Sequence, residues 1–300
     1  MKSSSRPAIA AALILPLLLS GCALISTTRK LPVPKAPSVF FTVEPEELVA
    51  QLNQRWATLD SLNATVDIQA SVLKTKEGVA RDYTSFRGII LMLKPEMLRV
   101  YGRVPVIGTR AFDMVSDGKA FTLWIPSKNV AYKGSNSLKK KSANAFENLR
   151  PGFFLDAMVV RGLDPDDLYS VVADSETVED KARKHLFTVP EYILSISRRK
   201  PGSNQLTPVR VVTFNRADLM PSQQDIYDSE GNLETQVYYS GYQDSGASKY
   251  PSMVVIKRPL EEIQIVLTVD KVTENPTNPP LTKDEFELKL TEGTQIQNLE

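Results

Sequence analysis

The fold is decided by residues 86–100, which read FRGIILMLKPEMLRV. Two apolar runs flank the polar tripeptide Lys94-Pro95-Glu96, where the proline and the charges interrupt the apolar pattern. Short apolar runs bounded by such residues are typical of β-strands joined by a tight turn. The stretch therefore predicts a β-hairpin, with one strand over residues 83–93 and the next over residues 97–103.

Similar patterns continue on both sides of this hairpin. Upstream, residues 64–72 place an apolar side chain at every second position, which is typical of a half-buried strand. Downstream, residues 109–115 and 120–125 flank a turn that contains Asp117-Gly118, and Asp-Gly between apolar runs is a strong hairpin signal. Short turns between successive strands predict an antiparallel meander.

The second half of the chain is also rich in predicted strands. A short helical turn is predicted at residues 165–169, where Pro165 precedes two aspartates. The further strands are predicted at residues 129–134, 184–189, 192–198, 208–215, 220–227, 233–242, 253–257, 263–275 and 286–290.

Two helices interrupt the strands. The first is predicted over residues 44–62, because Pro45 and two glutamates suit a first helical turn. Its apolar residues recur at every third or fourth position: Leu48, Leu52, Trp56 and Leu59. The second is predicted over residues 145–160, with an interruption at Pro151-Gly152.

The order of elements decides the fold class. Strands do not alternate with helices, so a parallel βαβ sheet is not expected. We predict an α+β fold that is mainly β: a large curved antiparallel sheet, or half-barrel, of about eleven strands covered by helices. Two helices over such a sheet leave either an apolar pocket suited to acyl chains or a fully packed core, and the sequence does not choose between them.

The N-terminus reads as a secretory signal. Lys2 and Arg6 precede an apolar run at residues 8–19, which is shorter than the roughly 20 residues needed to span a bilayer. The run ends in Leu-Ser-Gly followed by Cys22, the only cysteine of the chain. This ending resembles the lipobox of bacterial lipoproteins, which implies cleavage before Cys22 and its acylation with chains such as palmitate. An ordinary secretory signal with an incidental cysteine is the alternative.

These features divide the chain into three expected segments. Residues 1–21 form a lipoprotein signal peptide, residues 22–44 a lipidated N-terminus with a proline-rich tether, and residues 45–300 a single domain. The residue after the cysteine is Ala23, whereas an aspartate at this place favours inner-membrane retention in the lipoproteins that the motif resembles. The expected location is therefore the periplasmic face of the outer membrane, held by a lipid anchor.

The sequence offers little catalytic chemistry. Its only histidine, His185, follows a charged turn and is expected to be a surface residue. We find no Gly-rich phosphate loop and no ligand set with metal spacing. The formal net charge of +1 gives no field for nucleic acid. We predict a protein with no catalytic residues, no cofactor, no metal and no nucleic-acid partner; a hydrolase is a weak alternative.

The chain resembles the LolA/LolB-like superfamily of periplasmic lipoprotein carriers and receptors, and within it an uncharacterised LolB-type family known only as a domain of unknown function. The resemblance is carried most strongly by residues 86–100. It continues through residues 105–110, 115–119, 238–242 and 251–253, and through the predicted strand at Phe286.

This resemblance implies both a fold and a role. The fold is a half-barrel of about eleven strands closed by helices around an apolar cavity, which in the carriers holds the acyl chains of a lipoprotein in transit. The implied partners are the membrane, the acyl chains of lipoproteins or lipids, and a periplasmic carrier protein. The expected function is to aid lipoprotein or lipid transport or insertion at the outer membrane. A structural or scaffolding envelope lipoprotein is the alternative.

The resemblance also implies a membrane-contact loop. LolB-type receptors present an apolar side chain to the membrane from a loop between two early strands. The matching loop spans residues 103–109, with Val106 and Ile107 at its tip and with Pro105 and Gly108 making it tight. The alternative is that the apolar pair tucks under the sheet edge.

Overall fold

The computed structural model describes residues 40–74, 78–137, 150–180, 185–246 and 248–299. The predicted signal peptide, Cys22, most of the tether and residues 145–149 lie outside these ranges. The chain divides into two units, one of residues 37–176 with 189–300 and the other of residues 1–36 with 177–188. Both helices and the sites discussed below belong to the first unit, and the predicted segment boundaries stay predictions.

The described residues form one large open, curved sheet, which is almost entirely antiparallel. Its 15 strands are β1 (Ser61–Lys74), β2 (Val79–Asp82), β3 (Phe86–Leu93), β4 (Met97–Arg103), β5 (Arg110–Ser116), β6 (Ala120–Ile125), β7 (Val130–Ser135), β8 (Asp167–Asp180), β9 (His185–Arg199), β10 (Leu206–Asn215), β11 (Met220–Tyr227), β12 (Leu233–Ser245), β13 (Ser248–Arg258), β14 (Ile263–Glu274) and β15 (Gln295–Asn298). The predicted fold class is confirmed. The strand count exceeds the expected number of about eleven. Strands β2, β8 and β15 were not predicted, and the two strands predicted at residues 184–189 and 192–198 form the single strand β9.

The strand order across the sheet departs from a single meander. It runs β15-β7-β6-β5-β4-β3-β1-β14-β13-β12-β11-β10-β9-β8, with β2 beside β1. The chain thus builds one side outward from β1 to β7 and the other side inward from β8 to β14. In the central pair, Leu62 lies opposite Glu274 and Val72 lies opposite Ile263.

The first helix, α1 (Pro45–Thr58), covers the second half of the sheet. Proline in its first turn and two adjacent glutamates suit a helix start. One face buries Leu48, Val49 and Leu52. This face packs against β9 and β10, on the following side chains: Tyr192, Leu194, Ile196, Val212 and Phe214.

The second helix, α2 (Gly152–Met158), lies over the middle of the sheet, on the face that carries Ala64 and Val254 and that we call the inner face. Five of its seven residues are buried: Phe153, Phe154, Leu155, Ala157 and Met158. They belong to one apolar cluster with side chains of both halves of the sheet. This helix therefore fills most of the space that the sequence left open as either a pocket or a packed core.

Two predicted elements were wrong. The helical turn expected at residues 165–169 gives way to β8, which begins at Asp167. The strand expected at residues 286–290 is replaced by a 3-10 turn at Lys283–Phe286, which lies against β4 and is followed by chain without strand pairing. The last strand is instead β15, which pairs in parallel with β7.

Asn275 joins the end of α1 to the end of β14. Its side-chain amide donates to the carbonyl oxygen of Thr58 at 2.7 Å, and its Oδ1 accepts from the backbone N–H groups of Asp60 and Ser61 at 2.7 and 2.9 Å. Its backbone adopts a left-handed φ of 46°, which asparagine tolerates better than most residues. One side chain thus satisfies three backbone groups at the helix end.

We expect Asn275→Ala to lower the free energy of unfolding by about 1–3 kcal/mol, because three hydrogen bonds are lost and alanine is strained at this φ. Chemical denaturation measures the change. The control is Asn204→Ala, since Asn204 is exposed and makes one side-chain hydrogen bond, to Arg199. Equal losses in both variants would contradict the role assigned to Asn275.

Candidate functional site

A cleft of about 130 Å³ opens where the C-terminal half of α1 meets the segment after α2 and the ends of β11 to β14. Its apolar lining is dominated by large side chains: Trp56, Met158, Tyr239, Tyr242 and Tyr250. Its charged lining comes from Arg55, Lys249 and Glu274. The cleft is therefore amphipathic, with aromatic walls and charges of both signs.

The three tyrosines of the cleft are neutral. Burial raises the pKa of Tyr239 and Tyr250 well above the usual value, and burial also raises the pKa of Tyr242. Tyr242 donates to the carbonyl oxygen of Pro221 at 2.7 Å, and Tyr250 donates to that of Met158. The Tyr239 hydroxyl accepts a hydrogen bond from Gln224. Because these hydroxyls are engaged by the protein, the rings contribute chiefly apolar surface to the cleft.

Trp56 is fixed by cations. The Lys94 ammonium lies 3.9 Å from the centroid of the Trp56 ring, and the same ammonium donates to the Trp56 carbonyl oxygen. The Arg161 guanidinium lies 5.9 Å from the ring centroid. Burial lowers the pKa of Lys94, and the charge of Asp60 opposes this shift. Such cation–π contacts hold the indole in place at the wall of the cleft.

Gly162 lets the segment after α2 lie close to α1. A Cβ atom at this position would lie 2.8 Å from Asn53 Oδ1 and 3.1 Å from Trp56 Cδ1. The backbone N–H of Leu163 donates to Asn53 Oδ1 at 2.8 Å. Any side chain at position 162 would therefore separate the wall of the cleft from the helix.

We expect Gly162→Ala to cost about 1–3 kcal/mol of stability, the usual cost of inserting a methyl group into a packed contact, and to change the emission of Trp56. Gly152→Ala is the matched control, because a Cβ at Gly152 would meet no atom within 4 Å. Thermal unfolding and fluorescence measure both effects. A stable Gly162→Ala variant with unchanged emission would contradict this packing.

A buried polar cluster lies beneath α2. Gln224 is completely buried, and its amide donates to the Asp156 carbonyl oxygen at 2.8 Å and to the Tyr239 hydroxyl at 3.0 Å. Arg210 donates to the Gly162 carbonyl oxygen at 3.2 Å. Among the described residues, Gln224 Oε1 and Arg210 Nε have no hydrogen-bond partner. Gln224 therefore links α2 and β12 to β11 through polar contacts inside an otherwise apolar interface.

One carboxylate of this cluster comes from α2 itself. Asp156 pairs with Arg161, with Nε and Oδ1 2.6 Å apart. Burial raises the pKa of Asp156, and the charges of Arg161 and Arg210 oppose the rise. The pairing keeps a charged group of α2 next to the segment that follows it.

The loop at residues 103–109 forms a tight turn between β4 and β5. The N–H of Val104 donates to the Thr109 carbonyl oxygen at 2.8 Å, and that of Gly108 donates to Val104 at 2.9 Å. Val106 is fully exposed, and 72% of the Ile107 surface is exposed. The pair therefore does not tuck under the sheet edge, although membrane contact itself stays a prediction.

The tip of this loop is strained. Val106 has a φ of 67°, whereas a β-branched residue avoids the left-handed region. Gly108, with a φ of 71°, adopts the same region without that penalty. A strained conformation of this kind costs about 1–3 kcal/mol and is often found at functional sites.

The sequence also led to expectations about metal sites, membrane-spanning helices and His185, and these expectations stay predictions. Across the described ranges, no group of three His, Cys, Asp or Glu is arranged to hold a metal ion. No helix within those same ranges is long and apolar enough to cross a membrane. His185 begins β9, and its side chain lies outside the description.

The cleft brings together residues that sequence reasoning did not group. The sequence predicts only that Trp56 belongs to the apolar stripe of the first helix, and no pattern in it singles out Tyr250, Gln224 or Arg210. The available signal was the tyrosine-rich stretch at residues 238–242 on β12, of which Tyr239 and Tyr242 line the cleft. That stretch points to a sheet face, but the helix that completes the cleft is remote in sequence.

No family model and no curated protein matches this sequence significantly. Solved structures do match. The LolA superfamily protein NE2245 from Nitrosomonas europaea superposes with a TM-score of 0.50 and 14% identity, covering 82% of this chain and 99% of that chain. A domain from Vibrio parahaemolyticus, described as an outer membrane lipoprotein-sorting protein domain, superposes with a TM-score of 0.50 and 11% identity. The match covers 80% of this chain and 95% of that chain.

The chain has the LolA-like fold. The resemblance predicted from residues 86–100 is therefore confirmed at the level of the fold. A DUF1329 family protein from Desulfovibrio piger is also similar, with a TM-score of 0.49, 14% identity and coverage of 80% of this chain and 95% of that one. In the LolA-like fold described here, the cleft lies between α1, the segment after α2 and the inner face of the sheet.

Proposed function

We propose that this chain is a non-enzymatic protein that binds the acyl chains of a lipoprotein or lipid on the inner face of its LolA-like sheet. The observation that carries the proposal is the aromatic cleft beside α2, whose tyrosines are neutral and whose lining includes Trp56 and Met158. Apolar area transferred from water into such a site contributes about 25 cal/mol per Å². The description of the similar Vibrio parahaemolyticus domain as outer membrane lipoprotein-sorting supports a role in lipoprotein transport.

Acyl binding requires α2 to move. The cleft of about 130 Å³ is no larger than a cavity of roughly 150 Å³ that accommodates one benzene molecule. An acyl chain is longer, so it takes the place of Phe153, Phe154 and Met158 on the inner face. One apolar occupant then replaces another, and the net free-energy change is small. This suits a protein that must both accept and release its cargo.

The site of action follows from the N-terminus and the exposed loop. We propose that acylated Cys22 anchors the chain at the periplasmic face of the outer membrane, where it receives cargo from a periplasmic carrier protein. Val106 and Ile107 would then contact the bilayer that gives or takes the acyl chains. Their full or nearly full exposure supports this assignment.

The binding proposal is tested by quenching of tryptophan emission. The chain has two tryptophans, of which Trp56 lines the cleft, so Trp124→Phe leaves Trp56 as the reporter. Acyl chains that carry bromine should quench Trp56 in this variant. In the matched Trp56→Phe variant, Trp124 should keep its emission. Mass spectrometry of lipids extracted from the purified chain gives an independent answer. If Trp56 is not quenched and no acyl ligand is bound to the purified chain, the proposal is overturned.

A scaffolding role is the second candidate, and the tight packing of α2 on the inner face favours it. In that case no acyl chain enters, and the chain acts through a protein partner. Purification from envelope would then recover one stoichiometric partner and no lipid, while Trp56 would remain unquenched.

A further inference from the structure

Several turns lie at the same end of the sheet as the loop at residues 103–109. The register of neighbouring strands shows which strand ends lie at this end of the sheet, from β4 across to β9. Arg103 lies opposite Arg87, Arg258 lies opposite Ile263, and Leu206 lies opposite Arg199. The turn between β9 and β10 and the turn between β11 and β12 are therefore at this end. They lie across the central pair of β1 and β14 from Val106.

These two turns enclose a groove of about 540 Å³. Its charged lining falls into two groups. Arg198, Arg199 and Lys200 come from the end of β9, and Asp228 and Glu230 come from the turn after β11. The groove therefore has basic groups from one turn and acidic groups from the other.

Arg198 pairs with Asp164 and Asp167, and Asp228 holds its own turn, whereas the other charged groups of the groove are available to a ligand. Asp228 accepts hydrogen bonds from the backbone N–H groups of Glu230 and Asn232 at 2.9 and 2.8 Å. Burial opposes ionisation of Asp228, but these bonds and those from the Asn232 side chain lower its pKa. Arg199 makes one side-chain hydrogen bond, to Asn204 at 3.0 Å. Within the described part of the chain, Lys200 and Glu230 have no ion-pair partner.

Apolar surface adjoins these charges. Leu206 is 48% exposed and lies directly opposite Arg199, so that its side chain is on the same face of the strand pair as this lining residue. Two prolines, Pro201 and Pro208, also line it. A free anion would use the basic group alone, whereas both charged groups and the apolar surface together match a zwitterionic amphiphile.

We infer that this groove is a second membrane-contact site that binds the headgroup of a phospholipid carrying both a phosphate and a primary ammonium. Arg199 and Lys200 bind the phosphate, Glu230 accepts a hydrogen bond from the ammonium, and Leu206 faces the acyl region. The inference rests on the proposed membrane-facing role of the loop at residues 103–109. Contacts on both sides of the central strand pair would hold this end of the sheet against the bilayer.

The test is photocrosslinking of the full chain. Benzoylphenylalanine at position 206 is irradiated in vesicles that contain equal amounts of phosphatidylethanolamine, phosphatidylcholine and phosphatidylglycerol, and mass spectrometry identifies the crosslinked lipids. We expect phosphatidylethanolamine to be enriched about two- to fivefold, the effect of one exposed ion pair. The control position is Phe41, which is 49% exposed and hydrogen-bonds to Arg216 beyond the other end of β10. It should show no preference.

Charge variants in the position-206 background make the test specific. Lys200→Glu and Glu230→Lys should each abolish the enrichment, and the double exchange should restore part of it, because one charge of each sign returns. Equal crosslinking of all three lipids, or no lipid crosslink, would overturn the inference. So would a Glu230→Lys variant that keeps its preference. Quenching of Trp56 by acyl chains reports the proposed function separately, since it is independent of this groove.

Discussion

Replacing Val106 and Ile107 together with glutamate is expected to slow delivery of bound lipid to membranes at least tenfold while leaving the fold intact. Both side chains are exposed, so the core loses nothing. Burying one such side chain in an apolar phase contributes about 1.5–3 kcal/mol, and each 1.4 kcal/mol is a factor of ten. Transfer of a fluorescent acyl ligand from the protein to vesicles measures the rate. Unchanged delivery, or a collapse of thermal stability, would contradict the membrane role of the loop.

A single substitution separates contact from strain at the same loop. Val106→Gly removes the apolar tip and also relieves the left-handed φ of 67°. Relief of about 1–2 kcal/mol exceeds the entropy cost of glycine, so the variant should unfold at a slightly higher temperature. Delivery should nevertheless fall. A variant that is less stable than the parent would show that Val106 is held by packing rather than presented under strain.

Asp113→Asn is expected to destabilise the fold by about 3–5 kcal/mol. Asp113 is completely buried on β5 and pairs with two arginines. Its oxygens accept from Arg99 at 3.0 and 2.7 Å, and Arg110 bonds to the same carboxylate. Loss of the negative charge leaves both guanidinium groups uncompensated. Chemical denaturation of the full chain measures the change.

The matched control for Asp113 is Asp270→Asn. Asp270 also bonds to an arginine, Arg87, but about half of each side chain is exposed. An ion pair of this kind contributes about 0–1 kcal/mol, so this variant should remain close to the parent. Similar losses in the two variants would mean that burial does not set the strength of the Asp113 cluster.

The same cluster ties down the C-terminal segment. Arg99 also donates to the carbonyl oxygen of Glu285 at 2.7 Å, next to the buried side chain of Phe286. Asp113→Asn should therefore make the chain after Thr282 more accessible to limited proteolysis than Asp270→Asn does.

Local patterns in the sequence predicted local elements well. The bounds of β4, β6 and β11 were obtained as the structure has them, because each strand alternates or is bounded by a clear turn. By contrast, β8 was missed because nearly all of its described side chains are exposed, so it carries no period-two signal. At residues 286–290 more buried and more exposed side chains do alternate, but no strand of the described residues pairs with that segment.

Features that depend on residues far apart in the chain could not be predicted from the sequence. The pairing of β1 with β14 brings together segments about 200 residues apart, and no local pattern encodes it. The aromatic cleft needs Trp56 from α1 beside Tyr239 and Tyr250 from the sheet. Its volume depends on where α2 settles, which is set by the three-dimensional arrangement. By contrast, Val106 and Ile107 lie in a short hairpin loop, so the sequence could place them at its tip, although it left open whether the pair was exposed or tucked under the sheet edge.

The central pair of strands has a consequence for how the molecule is made. Because β1 pairs with β14 along most of its length, the middle of the sheet cannot form until residues 263–274 have been synthesised. Until then one long edge of β1 lacks its final partner, and such open edges invite pairing with other chains. Contacts so distant in sequence also slow folding. A nascent chain of this protein should therefore depend on protection during biogenesis, and C-terminal truncations that remove β14 should aggregate rather than yield a smaller folded domain.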